Sequence, residues 1–245
     1  SLAGRPIRVT GLAHQGVDLL VRAERAGGRV DHLRLRPEAE RFVIPHRPDR
    51  ADVARVYGLL GLEHILLGVD HLFFVLALLM LTGHGWRLVV AVTAFTLAHS
   101  LTLGAATLGH AAPPAAGVES LIALSIVFLA AEVARKHVFG HRDGLTERYP
   151  WLVAFVFGLL HGFGFAGALG EQGLPADAAP LALAFFNLGV EAGQLLFIGF
   201  VALAYQALRA VGGRPFAAGL RVPATYVIGS LSAYWLFDRV AGMGA

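Results

Sequence analysis

Cysteine is absent from the chain, and charged residues are scarce. Of 245 residues none is Cys, and Asp, Glu, Lys and Arg together make up 15%. Without cysteine the protein has no disulfide, no thiolate metal site and no cysteine nucleophile. Soluble domains contain about 25% charged residues, so this composition excludes an ordinary soluble domain. The formal net charge is only +3, which argues against nucleic acid as a partner.

Long apolar runs are what the chain has instead of charge. Hydrophobic residues account for 56% of it, and the mean hydropathy is +0.63. From Val56 onward, apolar runs recur that are long enough to cross a hydrocarbon core of about 30 Å. The sequence predicts an all-α membrane protein, a bundle of about six transmembrane helices within residues 56–241. The predicted spans lie at about 57–82, 87–109, 118–137, 151–170, 180–208 and 218–241.

Residues 1–50 differ from the rest and predict β structure. The segments 17–22 and 30–35 show partial alternation of apolar and polar residues, with Gly27 and Gly28 as a turn between them. So short a β-rich segment can hardly bury a core of its own. We expect it to be the end of a larger extracytoplasmic domain. An oligomer or an extracytoplasmic partner could bind through it.

Basic residues are distributed unevenly over the connections between the predicted spans. The connections after the first, third and fifth spans contain Lys and Arg, whereas those after the second and fourth contain none. Cytoplasmic loops carry an excess of these residues, so both termini are expected on the extracytoplasmic side. The basic residues that decide the orientation are Arg87, Arg135, Lys136, Arg142, Arg148, Arg209, Arg214 and Arg221.

Ionisable side chains inside the predicted spans indicate where a functional site would lie, because a charge at the bilayer centre costs about 2.5–3.5 kcal/mol. In the first span Gly61, His64, Gly68 and His71 share one helical stripe, along which a neighbouring helix can come close. Asp70 is rotated by about 100° from His71, either as a ligand or as an acceptor for a ring N–H. A single His more often hydrogen bonds across helices, so a metal site needs several such residues.

Matched depth supplies the second argument for a site. Asp70, His99, His161 and Glu191 each lie roughly ten to thirteen residues into their spans, about 15–20 Å at the helical rise. Together with His71 they predict one shared cation site. Other polar residues on these spans are expected to support the ligands or to line the path, although Glu119 could instead face lipid headgroups. These are Glu63, Thr96, Ser100, Glu119, Ser125, Asn187 and Gln194.

Four segments resemble the motif blocks of a known family, HupE/UreJ. The first has His64, then five residues, then Asp70 and His71, and it is the most specific. The others are FTLAHSLTL around His99, IALSIV and FGLLHGFGFA around His161. This resemblance implies a bacterial inner-membrane protein of nickel and cobalt uptake. It also implies that the metal ligands are His64, Asp70, His71, His99 and His161.

The resemblance covers about residues 58–205. Glu191 joins the five ligands from the depth argument, so the predicted metal set is His64, Asp70, His71, His99, His161 and Glu191. We expect His64, together with Glu63, to receive the ion near the outer end of the first span.

The predicted function is transport of a divalent transition-metal cation across the bacterial inner membrane. Imidazole and carboxylate ligands suit Ni²⁺, Co²⁺, Zn²⁺ or Fe²⁺, and the resemblance favours nickel, then cobalt. Soft Cu(I) prefers thiolate and thioether ligands, but the chain has 0 Cys and 2 Met. No Walker motif occurs in the sequence, so ATP hydrolysis by this chain is not expected.

Two other functions fit the same residues. Three His and an Asp can hold Zn²⁺ whose bound water attacks an ester or amide, with Ser100 or Ser125 assisting. The protein would then be an intramembrane hydrolase. A pair of His on different helices could also ligate haem. We prefer the transport hypothesis, under which the protein is not an enzyme.

Overall fold

The structure is a computed structural model, and it divides the chain into two units, Ser1–Asp49 and Arg50–Ala245. In the first unit it describes the backbone of residues 6–8, 19–24, 30–35 and 41–43. In the second it describes residues 50–111, 113–140, 144–172 and 178–243, apart from the side chains of 167–172, 214 and 217. The two units are described separately below.

The first unit contains four short strands, which form two antiparallel pairs. They are β1 (Pro6–Arg8), β2 (Leu19–Glu24), β3 (Val30–Leu35) and β4 (Arg41–Val43). Strand β2 pairs with β3, with Leu19 opposite Leu35, and β1 pairs with β4. Strand β3 coincides with the predicted run 30–35, and β2 begins two residues after the start of the predicted run 17–22. Gly27 and Gly28 lie outside the described residues. The extracytoplasmic location of this unit stays a prediction.

The second unit is helical throughout its described residues, apart from short connections. Its helices are α1 (Arg50–Leu67), α2 (Val69–Thr82), α3 (Trp86–Thr107), α4 (Ala115–His137), α5 (Leu145–Arg148), α6 (Pro150–Gln172), α7 (Ala179–Gly219) and α8 (Arg221–Gly242). Gly83 and Gly85 form the turn between α2 and α3 with φ of 72° and 128°, a region that favours glycine. Helix α7 is kinked at Gly213, where φ is 76°.

Three described helices are long and apolar enough to cross a membrane: 86–107, 115–137 and 179–213. The bent pair α1 and α2 would make a fourth crossing if the two helices form one broken span. Helix α6 contributes a shorter apolar stretch, 150–166. The predicted all-helical membrane region is therefore present with three to four candidate spans.

The first predicted span, 57–82, is not one continuous helix. It breaks at Gly68, where φ is −79° and ψ is 94°, and the two halves are bent by 72°. A Cβ at Gly68 would lie 2.6 Å from the carbonyl oxygen of His64 and 2.8 Å from Nδ1 of His71. The break therefore depends on a residue without a side chain. It brings the end of α1 and the start of α2 together at these two histidines.

Glycines let two helix pairs approach backbone to backbone, as small residues do in membrane bundles. Between α3 and α6, a Cβ at Gly158 would collide with the carbonyl oxygen of Phe95, and one at Gly162 with that of His99. Between α1 and α7, a Cβ at Gly61 would collide with the carbonyl oxygen of Phe186. These contacts fix the distances between the helices that carry the polar residues of the predicted site.

Candidate metal site

Three imidazole rings from three helices meet inside the helical unit. His64 is in the last turn of α1, His71 in the first turn of α2, and His99 in the middle of α3. One ring nitrogen of each lies within 4.8 Å of one from each of the other two. Ring centroids are 4.6 Å apart for His64 and His71 and 6.0 Å apart for His64 and His99. We call these residues the three-histidine cluster.

A fourth imidazole, His161 of α6, lies beside the cluster. Its ring centroid is 5.1 Å from that of His71, in an edge-to-face arrangement. The side chain is 1% exposed. His161 does not belong to the group of ring nitrogens that lie within 4.8 Å of one another. It lies next to the three-histidine cluster and is carried by a fourth helix.

The tautomer of His99 is fixed by Asn187 of α7. Nδ1 of His99 lies 3.2 Å from Oδ1 of Asn187, while Nδ2 of Asn187 donates to the carbonyl oxygen of Leu183 at 2.8 Å. Because the amide oxygen only accepts, Nδ1 of His99 must carry the proton in this hydrogen bond. Nε2 of His99 is left with a free lone pair, which is the state that a metal ligand needs.

Ser125 of α4 fixes His161 in the opposite tautomer. The Ser125 hydroxyl donates to the carbonyl oxygen of Ile122 at 2.7 Å, so its oxygen accepts from Nε2 of His161 at 3.1 Å. The proton of His161 is therefore on Nε2, and Nδ1 keeps its lone pair. In its neutral form each of the two histidines therefore presents one nitrogen without a proton.

Four buried ring nitrogens have no hydrogen-bond partner within the described part of the chain. They are Nε2 of His64, His71 and His99, and Nδ1 of His161. An unsatisfied buried polar atom costs about 1–3 kcal/mol, so native proteins rarely contain several in one place. Imidazole nitrogens bind zinc, copper, iron and nickel well. The donor set therefore fits a transition-metal cation.

Aromatic rings surround the cluster and keep it apolar. Phe165 packs on His64 with ring centroids 4.0 Å apart, and Phe186 stacks on His99 at 6.3 Å. Phe74 and Phe95 contact His161 at 5.2 and 5.1 Å. Phe186 belongs to the core and is 0% exposed. A wall of this kind strengthens electrostatic interactions with an ion because it excludes water.

The chain matches the family model described as HupE / UreJ protein over residues 39–239. This range includes every histidine of the site. The chain belongs to the HupE/UreJ family. Searches of curated proteins and of solved structures each gave no match. The family is generally one of nickel and cobalt transport, and with its apolar helices this member is a multi-pass membrane protein.

In this HupE/UreJ protein the two predicted carboxylate ligands contact other partners. Oδ2 of Asp70 lies 2.8 Å from Nη2 of Arg239. Oε1 of Glu191 accepts a hydrogen bond from Thr93 at 2.5 Å. Neither carboxylate belongs to the group of potential ligand atoms that lie within 4.8 Å of one another. Asp70 follows His64 and precedes His71 in the motif, and in the structure its carboxylate pairs with Arg239.

The residues predicted to support the ligands lie mostly between α3 and α7. Asn187, Glu191 and Gln194 share one face of α7, and each contacts α3. Thr96 donates to Oε1 of Gln194 at 3.0 Å, and Ser100 donates to the carbonyl oxygen of Thr96 at 2.6 Å. Ser125 holds His161, as described above. Two acidic residues, Glu63 and Glu119, are exposed.

Sequence reasoning missed Arg239. It lies in the last turn of α8 and pairs with Asp70, which is 169 positions away in the chain. One signal was available: Arg239 is a cation near the end of a predicted span, 218–241, and it follows the acidic Asp238. A charged residue in such a place calls for a partner.

Proposed function

We propose that this HupE/UreJ protein carries a divalent transition-metal cation, nickel first and cobalt next, across the bacterial inner membrane. The observation that carries the proposal is the set of four buried imidazole nitrogens, on adjacent rings, that have no hydrogen-bond partner among the described residues. In this proposal the metal ion is the transported substrate, and the lipid bilayer is the other partner. Family membership supports transport of a transition metal, and it is the reason for placing nickel and cobalt first.

Ligand chemistry narrows the choice of ion. Ca²⁺ and Mg²⁺ prefer shells of oxygen, and a site of several imidazoles offers them few. Cu(I) prefers sulfur, and no Cys occurs in the sequence. Borderline divalent ions remain, whose affinity for such a site rises from Mn²⁺ through Co²⁺ to Ni²⁺. Zn²⁺ also fits, and nickel is preferred on the general function of the family.

The ion would be held by His64, His71 and His99, with His161 as the fourth nitrogen donor. Asn187 and Ser125 keep two of these rings in the tautomers whose free nitrogens can bind, so binding needs no rearrangement of protons on them. Release would follow protonation of the imidazoles, since a ligating His must be neutral. A pH gradient could therefore drive the transport cycle.

The proposal includes six crossings, with both termini outside the cytoplasm. Helices α6 and α8 contain 23 and 22 residues, and about 20 residues suffice to cross the hydrocarbon core. With α3, α4, α7 and the bent pair α1–α2 they would give six. On that topology the histidines of α3 and α6 lie near the membrane midplane. The first unit, residues 1–49, would then face an extracytoplasmic partner.

The hydrolase alternative finds no support in the hydroxyl groups. Ser100 and Ser125 each donate to a carbonyl oxygen of their own helix, that of Thr96 and that of Ile122. A nucleophile or proton donor would need a hydroxyl directed at the metal-bound water. We therefore retain transport as the function.

Uptake of radiolabelled nickel by sealed vesicles that contain the purified protein tests this function. Wild type should accumulate nickel, excess cobalt should compete, and magnesium or calcium at equal concentration should not. His71→Ala and His99→Ala should abolish uptake while the protein stays folded. His84→Ala is the matched control because His84 is exposed in the turn between α2 and α3. Uptake by both cluster variants at the wild-type rate would refute the proposal.

A further inference from the structure

Next to the three-histidine cluster lies a cavity of about 330 Å³, which we call the vestibule. The residues of its lining that matter for the argument are His64, Asp70, His71, Glu119, His161 and Arg239. Two of these are histidines of the cluster, so the vestibule adjoins the site directly. Its other wall carries two carboxylates and one guanidinium from three different helices.

Arg239 is the centre of the charged wall. Its Nη2 lies 2.8 Å from Oδ2 of Asp70, its Nη1 donates to the carbonyl oxygen of Glu119 at 3.0 Å, and its Nε lies 3.7 Å from Oε2 of Glu119. The side chains of Arg239 and Asp70 are 23% and 21% exposed. The guanidinium thus has a close partner in Asp70 and a second, looser one in Glu119.

We propose that the vestibule is an outer site for a hydrated divalent cation. Before the ion binds, the guanidinium of Arg239 occupies this site and pairs with Asp70. The ion binds by displacing Arg239 from Asp70. The inference rests on the proposed function, because it describes the step before the ion reaches the histidines. On displacement Arg239 keeps a partner, since Glu119 is already in contact with it. Asp70 is then free to hold the ion beside His71.

The charges that line the vestibule explain why a divalent ion would displace Arg239 more readily than a monovalent ion. Asp70, Glu119 and Arg239 together carry one net negative charge. At equal distance a divalent ion is attracted to a carboxylate twice as strongly as a monovalent ion. A guanidinium is weakly hydrated and presents a rigid fork that matches a carboxylate, so Na⁺ and K⁺ would rarely displace it. The tethered charge therefore selects for divalent ions at the entrance.

The vestibule also offers a donor that no carboxylate cluster alone would supply. His161 lines it and is 1% exposed, and its Nδ1 has no hydrogen-bond partner among the described residues. An ion leaving Asp70 would find the nitrogens of His161 and His71 next. The order of contacts, from carboxylate oxygen to imidazole nitrogen, matches the gradual loss of hydration water on the way inward.

The nickel affinity of two single variants tests the proposal, because one variant should bind nickel more tightly than wild type and the other more weakly. We would measure the Kd of radiolabelled nickel by equilibrium dialysis of the full chain in detergent, at one pH and ionic strength. Arg239→Gln removes the competing charge and should tighten binding by about fivefold, the order of energy carried by a partly exposed ion pair. Glu119→Gln removes the second carboxylate and leaves only the backbone carbonyl as an alternative partner, so Arg239 holds Asp70 more firmly and binding should weaken by a similar factor.

Further variants separate this role from a structural one. Asp70→Asn should remove the effect, so that the double variant with Arg239→Gln binds no more tightly than Asp70→Asn alone. Arg135→Gln is the control, because Arg135 pairs with Glu132 on α4 away from the vestibule. If Arg239→Gln does not fold, Arg239→Lys decides, since Lys lacks the fork and should tighten binding less but in the same direction.

The outcomes distinguish this inference from the proposed function. Equal or weaker nickel binding by folded Arg239→Gln or Arg239→Lys, with normal binding by wild type, would overturn the outer site alone. Weakening by both the Arg239 and the Glu119 variants would show that the ion pair merely holds α8 to its neighbours. Wild type that binds no nickel would overturn the proposed function, and the outer site with it.

Discussion

Nδ1 of His99 lies 3.2 Å from the side-chain oxygen of Asn187, and this contact decides which nitrogen of the ring can bind a metal. Asn187 is itself held, because its amide nitrogen donates to the carbonyl oxygen of Leu183 at 2.8 Å. The amide therefore cannot turn over without losing a hydrogen bond. Helix α7 thus fixes a ligand that α3 carries.

Asn187→Ala should weaken nickel binding by about tenfold, the lower end of the range for loss of a partner that orients a ligating His. Asn187→Asp keeps an oxygen that accepts from Nδ1 of His99 but loses the donor to Leu183, so it should bind nickel more tightly than Asn187→Ala. Isothermal titration calorimetry of the three proteins at one pH measures the difference. Wild-type affinity in Asn187→Ala would mean that the tautomer of His99 is irrelevant to binding.

Gly162→Ala should destabilise the protein by about 1–3 kcal/mol, the usual cost of overpacking. Its Cβ would collide with the carbonyl oxygen of His99 and with Oγ1 of Thr102, and would push α6 away from α3. Thermal unfolding in detergent measures the loss, and nickel binding should weaken with it because His161 and His99 move apart.

Gly199→Ala is the matched control for this variant. Gly199 also lies inside a long apolar helix, α7, but among the described residues nothing lies within 4 Å of a Cβ placed there. It should unfold at the wild-type temperature or slightly above, since Ala favours a helix over Gly. Equal melting temperatures for Gly162→Ala and Gly199→Ala would contradict the close approach of α3 and α6.

Orientation in the membrane can be tested by thiol labelling, because the chain has 0 Cys. Phe139→Cys follows α4 and should resist a membrane-impermeant thiol reagent in intact cells. Ala115→Cys begins α4 and should react. Both positions are exposed, so access to the reagent depends on the side of the membrane alone. The reverse pattern would place the termini in the cytoplasm and invert the proposed direction of transport.

The spacing of residues predicted the pairing of His64 with His71 but not the way it arises. A continuous helix puts both rings on one stripe, separated by about two turns. In the structure their centroids are only 4.6 Å apart because the chain bends at Gly68. A glycine inside an apolar helix is a known weak point, yet its bend angle depends on what α1 and α2 pack against, which the sequence does not state.

Depth along the chain agrees with the positions of His99 and His161 beside the other two rings, whereas Asp70 and Glu191 contact other side chains. Counting residues from the span ends assumes straight helices of equal tilt and ignores which way each side chain points. Asp70 is at a suitable depth but faces Arg239, a residue that no local pattern connects with it. Long-range ion pairs of this kind depend on helix packing, which a single sequence does not reveal.

X-ray absorption at the nickel K edge, on protein loaded with one equivalent of nickel, tests most directly whether the histidines hold the ion. We predict nitrogen ligands at about 2.0–2.1 Å, a distance like that of zinc to imidazole, with the multiple-scattering signal of several imidazole rings. That signal should weaken in His71→Ala and His99→Ala, and it should be unchanged in His84→Ala. A shell of oxygen atoms alone in the wild-type protein, or an imidazole signal that both cluster variants retain, would contradict the account.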